Sequence, residues 1–273
     1  MQDLKISLIQ SDINWEDIGA NLAMFEEKIW RISGPTDVIV LPEMFTTGFT
    51  MNASKHAEMM NMRTSKWMRQ MAEQTGALIL GSYICNVHDR YYNRLLWMEP
   101  NGQHKSYDKR HLFRMANEHK VYSPGESTLV ATWKGWRICP QICYDLRFPV
   151  WSRNRFDHET QKLNYDVLLY VANWPQVRIN AWETLLRARA IENLSYVVGV
   201  NRVGIDADGM EYNGNSAVIG PKGDTIFSID GVEAEKTIEL SANALLSFRD
   251  KFPAYLDGDD FSIEQGEFEE DFL

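Results

Sequence analysis

The sequence predicts an α/β fold, a mixed sheet covered by helices in one layered domain, and three patterns carry that expectation. Segments of strand period and helix period alternate as far as Tyr83, residues 167–172 are apolar without interruption, and the later chain breaks into short hairpin-like strands. Strands that alternate with helices favour parallel pairing, and an unbroken apolar strand fits a sheet buried on both faces. The hairpins add antiparallel strands.

Taken in order, residues 4–8 alternate apolar and polar side chains and read as a strand. Ile18, Leu22, Phe25, Ile29 and Ile32 recur every three or four residues, which makes 15–32 helical. A short strand at 37–41 ends at Pro42, 64–74 is helical, and 77–83 is a strand bounded by glycines. Two strands flank Asn101-Gly102, whose members both tolerate positive φ and suit a tight hairpin. Further strands are expected at 129–133, 136–143, 167–172, 196–203, 216–219, 225–229 and 237–240. Helices are expected at 181–193, with Trp182, Leu185 and Leu186 on its core face, and at 242–251 before Pro253. Pro140 has no N–H for a ladder and is expected to bulge the strand leading to Cys143, or to leave it unpaired there. The Met-dense stretch from Met51 to Met71 reads as adaptable packing. No internal repeat is visible. Residues 1–256 are expected to form a single domain, and 257–273 a solvated acidic tail.

Composition narrows the function. Apolar residues make up 44% of the 273 and charged residues 24%, ordinary usage for a folded soluble protein. The 28 Lys and Arg against 38 Asp and Glu give a net charge of -10 without a long basic run, which argues against nucleic acid as a partner. Three cysteines, Cys85, Cys139 and Cys143, leave an odd thiol and no disulfide framework, as in a reducing compartment. Residues 1–10 lack a signal-peptide pattern, and no apolar run reaches the roughly 18 residues that a membrane span needs. The expected location is the cytoplasm, with no membrane partner.

Three residues can do chemistry. Cys143 ends an apolar strand where the chain turns, so its thiol can face a pocket with the Tyr144 backbone N–H beside it as an oxyanion donor. Glu43, in Leu41-Pro42-Glu43-Met44-Phe45, follows a buried strand, and an apolar setting would raise its pKa toward that of a general base. Lys109, in Tyr107-Asp108-Lys109-Arg110-His111, could lower the thiol pKa and hold an oxyanion. Taken singly, each fits a structural role better: a buried small hydrophobe, a loop glutamate, a surface lysine. Three rivals stand beside the thiol enzyme. Cys139 and Cys143 could ligate a metal from one helix face, although no histidine pair completes a set. His111 or His119 could be the base of a Cys–His protease. The chain could also be a non-enzymatic binding protein.

The surrounding segments decide among these, because they resemble the nitrilase, or carbon-nitrogen hydrolase, superfamily. The stretch Leu41 to Phe45 is similar to its glutamate motif, Lys109 to Phe113 to its lysine motif, and Ile142-Cys143-Tyr144-Asp145-Leu146-Arg147-Phe148 to its cysteine motif, in the family's order. Further likeness lies in Ala172-Asn173-Trp174-Pro175, residues 187–193, 201–204 and 214–223. The wording Pro42-Glu43-Met44-Phe45-Thr46-Thr47-Gly48-Phe49 looks most like the bacterial omega-amidase branch. The resemblance implies a four-layer α-β-β-α sandwich and hydrolysis of a terminal carboxamide, such as that of 2-oxoglutaramate or 2-oxosuccinamate, through a Cys143 thioester. It further implies that Glu43 acts as base, that Lys109 and the Tyr144 N–H hold the oxyanion, and that Glu118 orients the lysine. Its partners would be a small amide and water, with no cofactor and no metal, and the protein would be a homodimer or higher homo-oligomer. The far carboxylate of such a substrate needs a cation, for which Arg147, Arg114 and Lys120 are candidates, with Trp174 as a further substrate contact.

Overall fold

The structure is a computed structural model and describes residues 1–263, so residues 264–273 of the expected acidic tail lie outside the described residues. The first half of the chain runs β1 (Leu4–Gln10), α1 (Ile18–Arg31), β2 (Val38–Val40), α2 (Ala53–His56), α3 (Arg63–Thr75), β3 (Leu78–Val87), β4 (Arg90–Met98) and β5 (His104–Asp108). The second half runs β6 (Ala131–Trp133), β7 (Trp136–Ile142), α4 (Pro149–Ser152), β8 (Phe156–Asp157), β9 (Lys162–Leu163), β10 (Val167–Val171), α5 (Ile179–Asn193), β11 (Tyr196–Val200), β12 (Val203–Ile205), β13 (Glu211–Asn213), β14 (Ser216–Ile219), β15 (Thr225–Ile229), β16 (Ala234–Leu240) and α6 (Ala242–Lys251).

Two six-stranded sheets form, ordered β16-β1-β2-β3-β4-β5 and β15-β14-β11-β10-β7-β6. In the first, β1, β2 and β3 are parallel, and in the second so are β7, β10 and β11; the flanking strands are antiparallel. The period of two divides the first sheet between two cores. Leu4, Ile6, Leu8, Val38, Val40 and Leu80 join one cluster with the strands of the second sheet, while Ile9, Ile39, Ile79 and Leu96 pack with Phe25 of α1 and Met68 and Met71 of α3. The second sheet is covered by Trp182 and Leu186 of α5 and Leu245 of α6. That is the expected α-β-β-α sandwich. At Gly199 of β11 a Cβ would lie 2.6 Å from Trp182 and 2.8 Å from Leu186, so only glycine lets α5 seat this closely.

Several expectations need correction. The two sheets share one strand plan, so the fold contains a structural repeat that no residue pattern displays. The Asn101-Gly102 hairpin is not a two-residue turn: only Gly102 has positive φ, at 81°, and Pro100 sets a wider loop in which the Gly102 N–H donates to the Glu99 carbonyl at 2.9 Å. Of the two outcomes expected at Pro140 there is no bulge, since β7 keeps unbroken register with β10 from Ile138 to Ile142, but the strand is unpaired there on its other side, because β6 has ended opposite Ile138. The strand expected at 196–203 breaks after Val200, where Asn201 turns its side chain to the Trp174 backbone. The start of the tail is partly docked, with the Phe261 ring 4.9 Å from the Arg155 guanidinium. No helix among the described residues is long and apolar enough to cross a membrane.

Candidate active site

Each chemical residue lies just past a strand end, where a rigid sheet presents a loop. Cys143 leaves β7 at φ 43°, a left-handed conformation rare for a residue with a side chain, and opens the tight turn Cys143–Arg147. The buried Asp145 carboxylate fixes that turn. It accepts from the Ile142 N–H at 3.1 Å, the Tyr107 hydroxyl at 2.7 Å and the His111 N–H at 2.9 Å. One side chain thus ties the cysteine turn to the segment after β5 that carries Lys109. Glu43 follows β2, where Met44 at φ 42° reverses the chain and its N–H donates to the Ser82 hydroxyl at 2.8 Å.

These elements converge on one ion cluster. Lys109 Nζ lies 2.9 Å from Glu43 Oε1 and 3.0 Å from both oxygens of Glu118. The two glutamates are 0% exposed and the lysine 1%. Asn93 Nδ2 donates to Glu43 Oε1 at 2.8 Å, and the Asn173 N–H to Oε2 at 2.7 Å. Glu118 Oε2 accepts from the Phe113 N–H at 2.6 Å. The Cys143 thiol donates to the Asn173 carbonyl at 3.9 Å, and the N–H of that same Asn173 holds Glu43. The Tyr144 N–H lies in the first turn of its short helix, where backbone N–H groups have no intrahelical acceptor.

Burial opposes the Lys109 charge, but Glu118 and Glu43 outweigh it and hold the ammonium above the usual lysine range. Glu118 is raised by burial, with Lys109 opposing. Burial also pushes the Cys143 thiol well above its ordinary value, the Glu43 charge adds to the rise, and Lys109 only partly offsets it. The expected lowering of the thiol pKa by Lys109 is therefore reversed in net sign. A thiol held so high keeps its proton at neutral pH, so it could serve as a nucleophile only where a neighbouring base takes that proton.

The structure also separates the rivals. His111 is no partner for the thiol, because its Nδ1 lies 2.8 Å from Asp145 and its ring stacks on Phe148 at 3.7 Å. Cys139 lies inside β7 rather than on a helix face shared with Cys143, and burial pushes its thiol up to about 12. A cavity of about 460 Å³ lies over Cys143 and Lys109, and Arg147 and Trp174 are among the residues that line it. Arg114 and Lys120 do not line it. Both are exposed, because the turns that carry them point Glu118 inward to Lys109 and leave its neighbours outside. Sequence reasoning missed Arg178, which lines the cavity from the start of α5, and the Glu43 holders Asn93 and Asn173. Asn173 stood inside a matching segment, whereas nothing marks Asn93 within β4.

A model of the carbon-nitrogen hydrolase family matches residues 5–241. The chain is 48% identical over 264 residues to the omega-amidase YafV of Escherichia coli (strain K12), an alignment covering 96% of this chain and 100% of that protein. It is 32% identical over 255 residues to the 2-oxoglutaramate amidase of Bacillus subtilis (strain 168), covering 92% and 96%. Among solved structures, XC1258 from Xanthomonas campestris matches with a TM-score of 0.95 at 48% identity, covering 97% of this chain and 100% of that one. That structure is described as a CN-hydrolase superfamily protein with an arsenic adduct in the active site. By these matches the chain belongs to the carbon-nitrogen hydrolase family and is a hydrolase of amide carbon-nitrogen bonds.

Proposed function

We propose that the protein is an omega-amidase that converts the terminal amide of 2-oxoglutaramate or 2-oxosuccinamate to a carboxylate and ammonia. The observation that carries this is the buried cluster in which Glu43 pairs with Lys109 at 2.9 Å and accepts from the N–H of Asn173 at 2.7 Å, while the carbonyl of Asn173 takes the Cys143 thiol at 3.9 Å. Glu43 takes the thiol proton as sulfur bonds to the amide carbon, and Lys109 and the Tyr144 N–H receive the oxyanion. Protonated Glu43 then gives its proton to nitrogen, the carbon-nitrogen bond breaks, and ammonia leaves a thioester. A water delivers its proton to Glu43 and its oxygen to the thioester carbon, and the carboxylate product departs as the thiol is re-formed. The named activities of the 48% and 32% identical relatives support the substrate class, and an arsenic adduct in one relative's active site fits thiol chemistry there.

Ammonia release from 2-oxoglutaramate, 2-oxosuccinamate, glutamine, asparagine, a nitrile and an N-carbamoyl amino acid tests the substrate. The two oxo-amides should lead. A preference for the nitrile or the carbamoyl compound would move the protein to another branch. A slow substrate should leave an acyl mass on Cys143, and labelling of Cys85 or Cys139 instead would displace the nucleophile.

We also propose a cytoplasmic homo-oligomer. Three free thiols suit a reducing compartment, and α5 leaves Ile191 51% exposed for a partner copy. Sedimentation at micromolar concentration should give at least a dimer, and a monomer would reject the assembly.

A further inference from the structure

We infer that Arg147 and Arg178 together bind the carboxylate at the far end of the amide substrate, so that they select acidic amides over uncharged ones. This rests on the amidase function proposed above and names the residues that set its substrate preference.

Hydrogen-bond satisfaction among the arginines carries the inference. Every other buried or half-buried arginine among the described residues spends its guanidinium inside the protein: Arg94 on Asp108, Arg137 and Arg249 on Asp166, Arg202 on Asp12, and Arg110, Arg153 and Arg189 on backbone carbonyls. The side chains of Arg147 and Arg178, both half-buried and both lining the cavity over Cys143, make no hydrogen bond or ion pair with any described residue. What holds them is aromatic. The Arg147 guanidinium lies 4.9 Å from the centre of the Trp174 ring, and that of Arg178 lies 5.3 Å from the centre of the Phe113 ring.

An aromatic ring occupies the face of a guanidinium and leaves its N–H groups, which point outward in the plane, available to fork a carboxylate. The two arginines belong to one wall. The Trp174 ring N–H donates to the Arg178 carbonyl at 2.8 Å, and the Phe113 ring meets the Tyr144 ring edge-on at 5.0 Å, next to Cys143. Partly desolvated donors without protein partners are costly to keep, and an anion with two oxygens would satisfy them.

Two carboxylates, Asp206 and Asp208, line the same cavity, and neither takes up the arginines. Asp206 accepts from the Tyr212 hydroxyl at 2.8 Å and from the N–H groups of Asp208 and Met210, so it is committed to its own turn. Asp208 is exposed, and it makes no ion pair with either arginine among the described residues.

The test is the ratio of kcat/KM for 2-oxoglutaramate to that for butyramide, in the wild type and in Arg147→Gln, Arg178→Gln and the charge-keeping Arg178→Lys. The wild type should favour the anion. Each glutamine variant should lose about tenfold to hundredfold of the ratio, mainly through KM, and lysine should restore part of it. A second measurement needs no turnover: 2-oxoglutarate should protect Cys143 from iodoacetamide in the wild type, and about tenfold more should be needed in either glutamine variant. A wild type that prefers the anion and variants that keep its ratio and its protection would overturn the clamp. A wild type with no preference for the anion would instead overturn the omega-amidase function.

Discussion

Glu43→Gln should lower turnover by about 10³- to 10⁴-fold while the Cys143 thiol becomes easier to alkylate. The first effect follows from the double duty of one carboxylate, which takes the thiol proton and later gives it to nitrogen, a contribution typically worth about 10²- to 10⁴-fold. The second follows from charge. Burial is the main reason the thiol is held high, and the Glu43 charge adds to it, so a neutral residue 43 should lower the thiol pKa and increase the thiolate that iodoacetamide captures near pH 8. Melting should fall as well. Glu43 accepts from Lys109 and Asn93 on one oxygen and from the Asn173 N–H on the other, so the amide group of glutamine must leave at least one buried donor without an acceptor, at about 1–3 kcal/mol. Opposite signs in turnover and alkylation would separate a general base from a residue that only supports the fold. Wild-type turnover in this variant would sink the mechanism, and so would alkylation slowed in step with turnover.

The layered fold was legible wherever burial sets the residue period. The 3.6-residue recurrence of α1, the unbroken apolar β10 and the ranges of β15 and α6 all reappear in the structure. What stayed hidden depends on partners distant in sequence. The pairing of Glu43 with Asn93 spans 50 positions and its contact with the Asn173 backbone spans 130, and no local pattern records either. The common strand plan of the two sheets is equally silent, because a sheet requires apolar faces rather than particular residues. At the site, the segments around Glu43, Lys109 and Cys143 could be recognised by their wording, which also gave Asp145 a place but no role. The substrate end was harder. Arg114 and Arg147 look alike in the sequence, and only the fold reveals that the 113–118 loop turns inward at Glu118 and leaves Arg114 in solvent, while Arg178, 35 residues beyond Cys143 in the chain, lines the cavity.

Lys109→Met should cost stability as well as rate, and its stability cost should shrink as the pH falls. Removing an oxyanion donor costs on the order of 10²- to 10³-fold in turnover. The larger consequence is that Glu43 and Glu118, both fully buried, lose the cation between them. Breaking a buried ion pair by deleting one partner typically costs about 3–5 kcal/mol, because the remaining charge stays desolvated. Lys109 already fails to bring Glu118 down to the ordinary carboxylate value, so without it the folded-state pKa should climb further above the unfolded value. A carboxyl group raised by folding binds more protons in the folded state than in the unfolded one. Stability is therefore lost as pH rises through the window between the two pKa values, and recovered as pH falls through it. The variant should melt well below the wild type at pH 8 and approach it toward pH 5. The wild type should show the opposite limit at high pH: Lys109 is raised by folding, so its contribution is complete below the unfolded value of 10.5 and declines above it. Thermal melts of both proteins between pH 5 and 8 decide the matter, since a gap that stayed constant or widened on acidification would mean that the lysine does not neutralise these carboxylates.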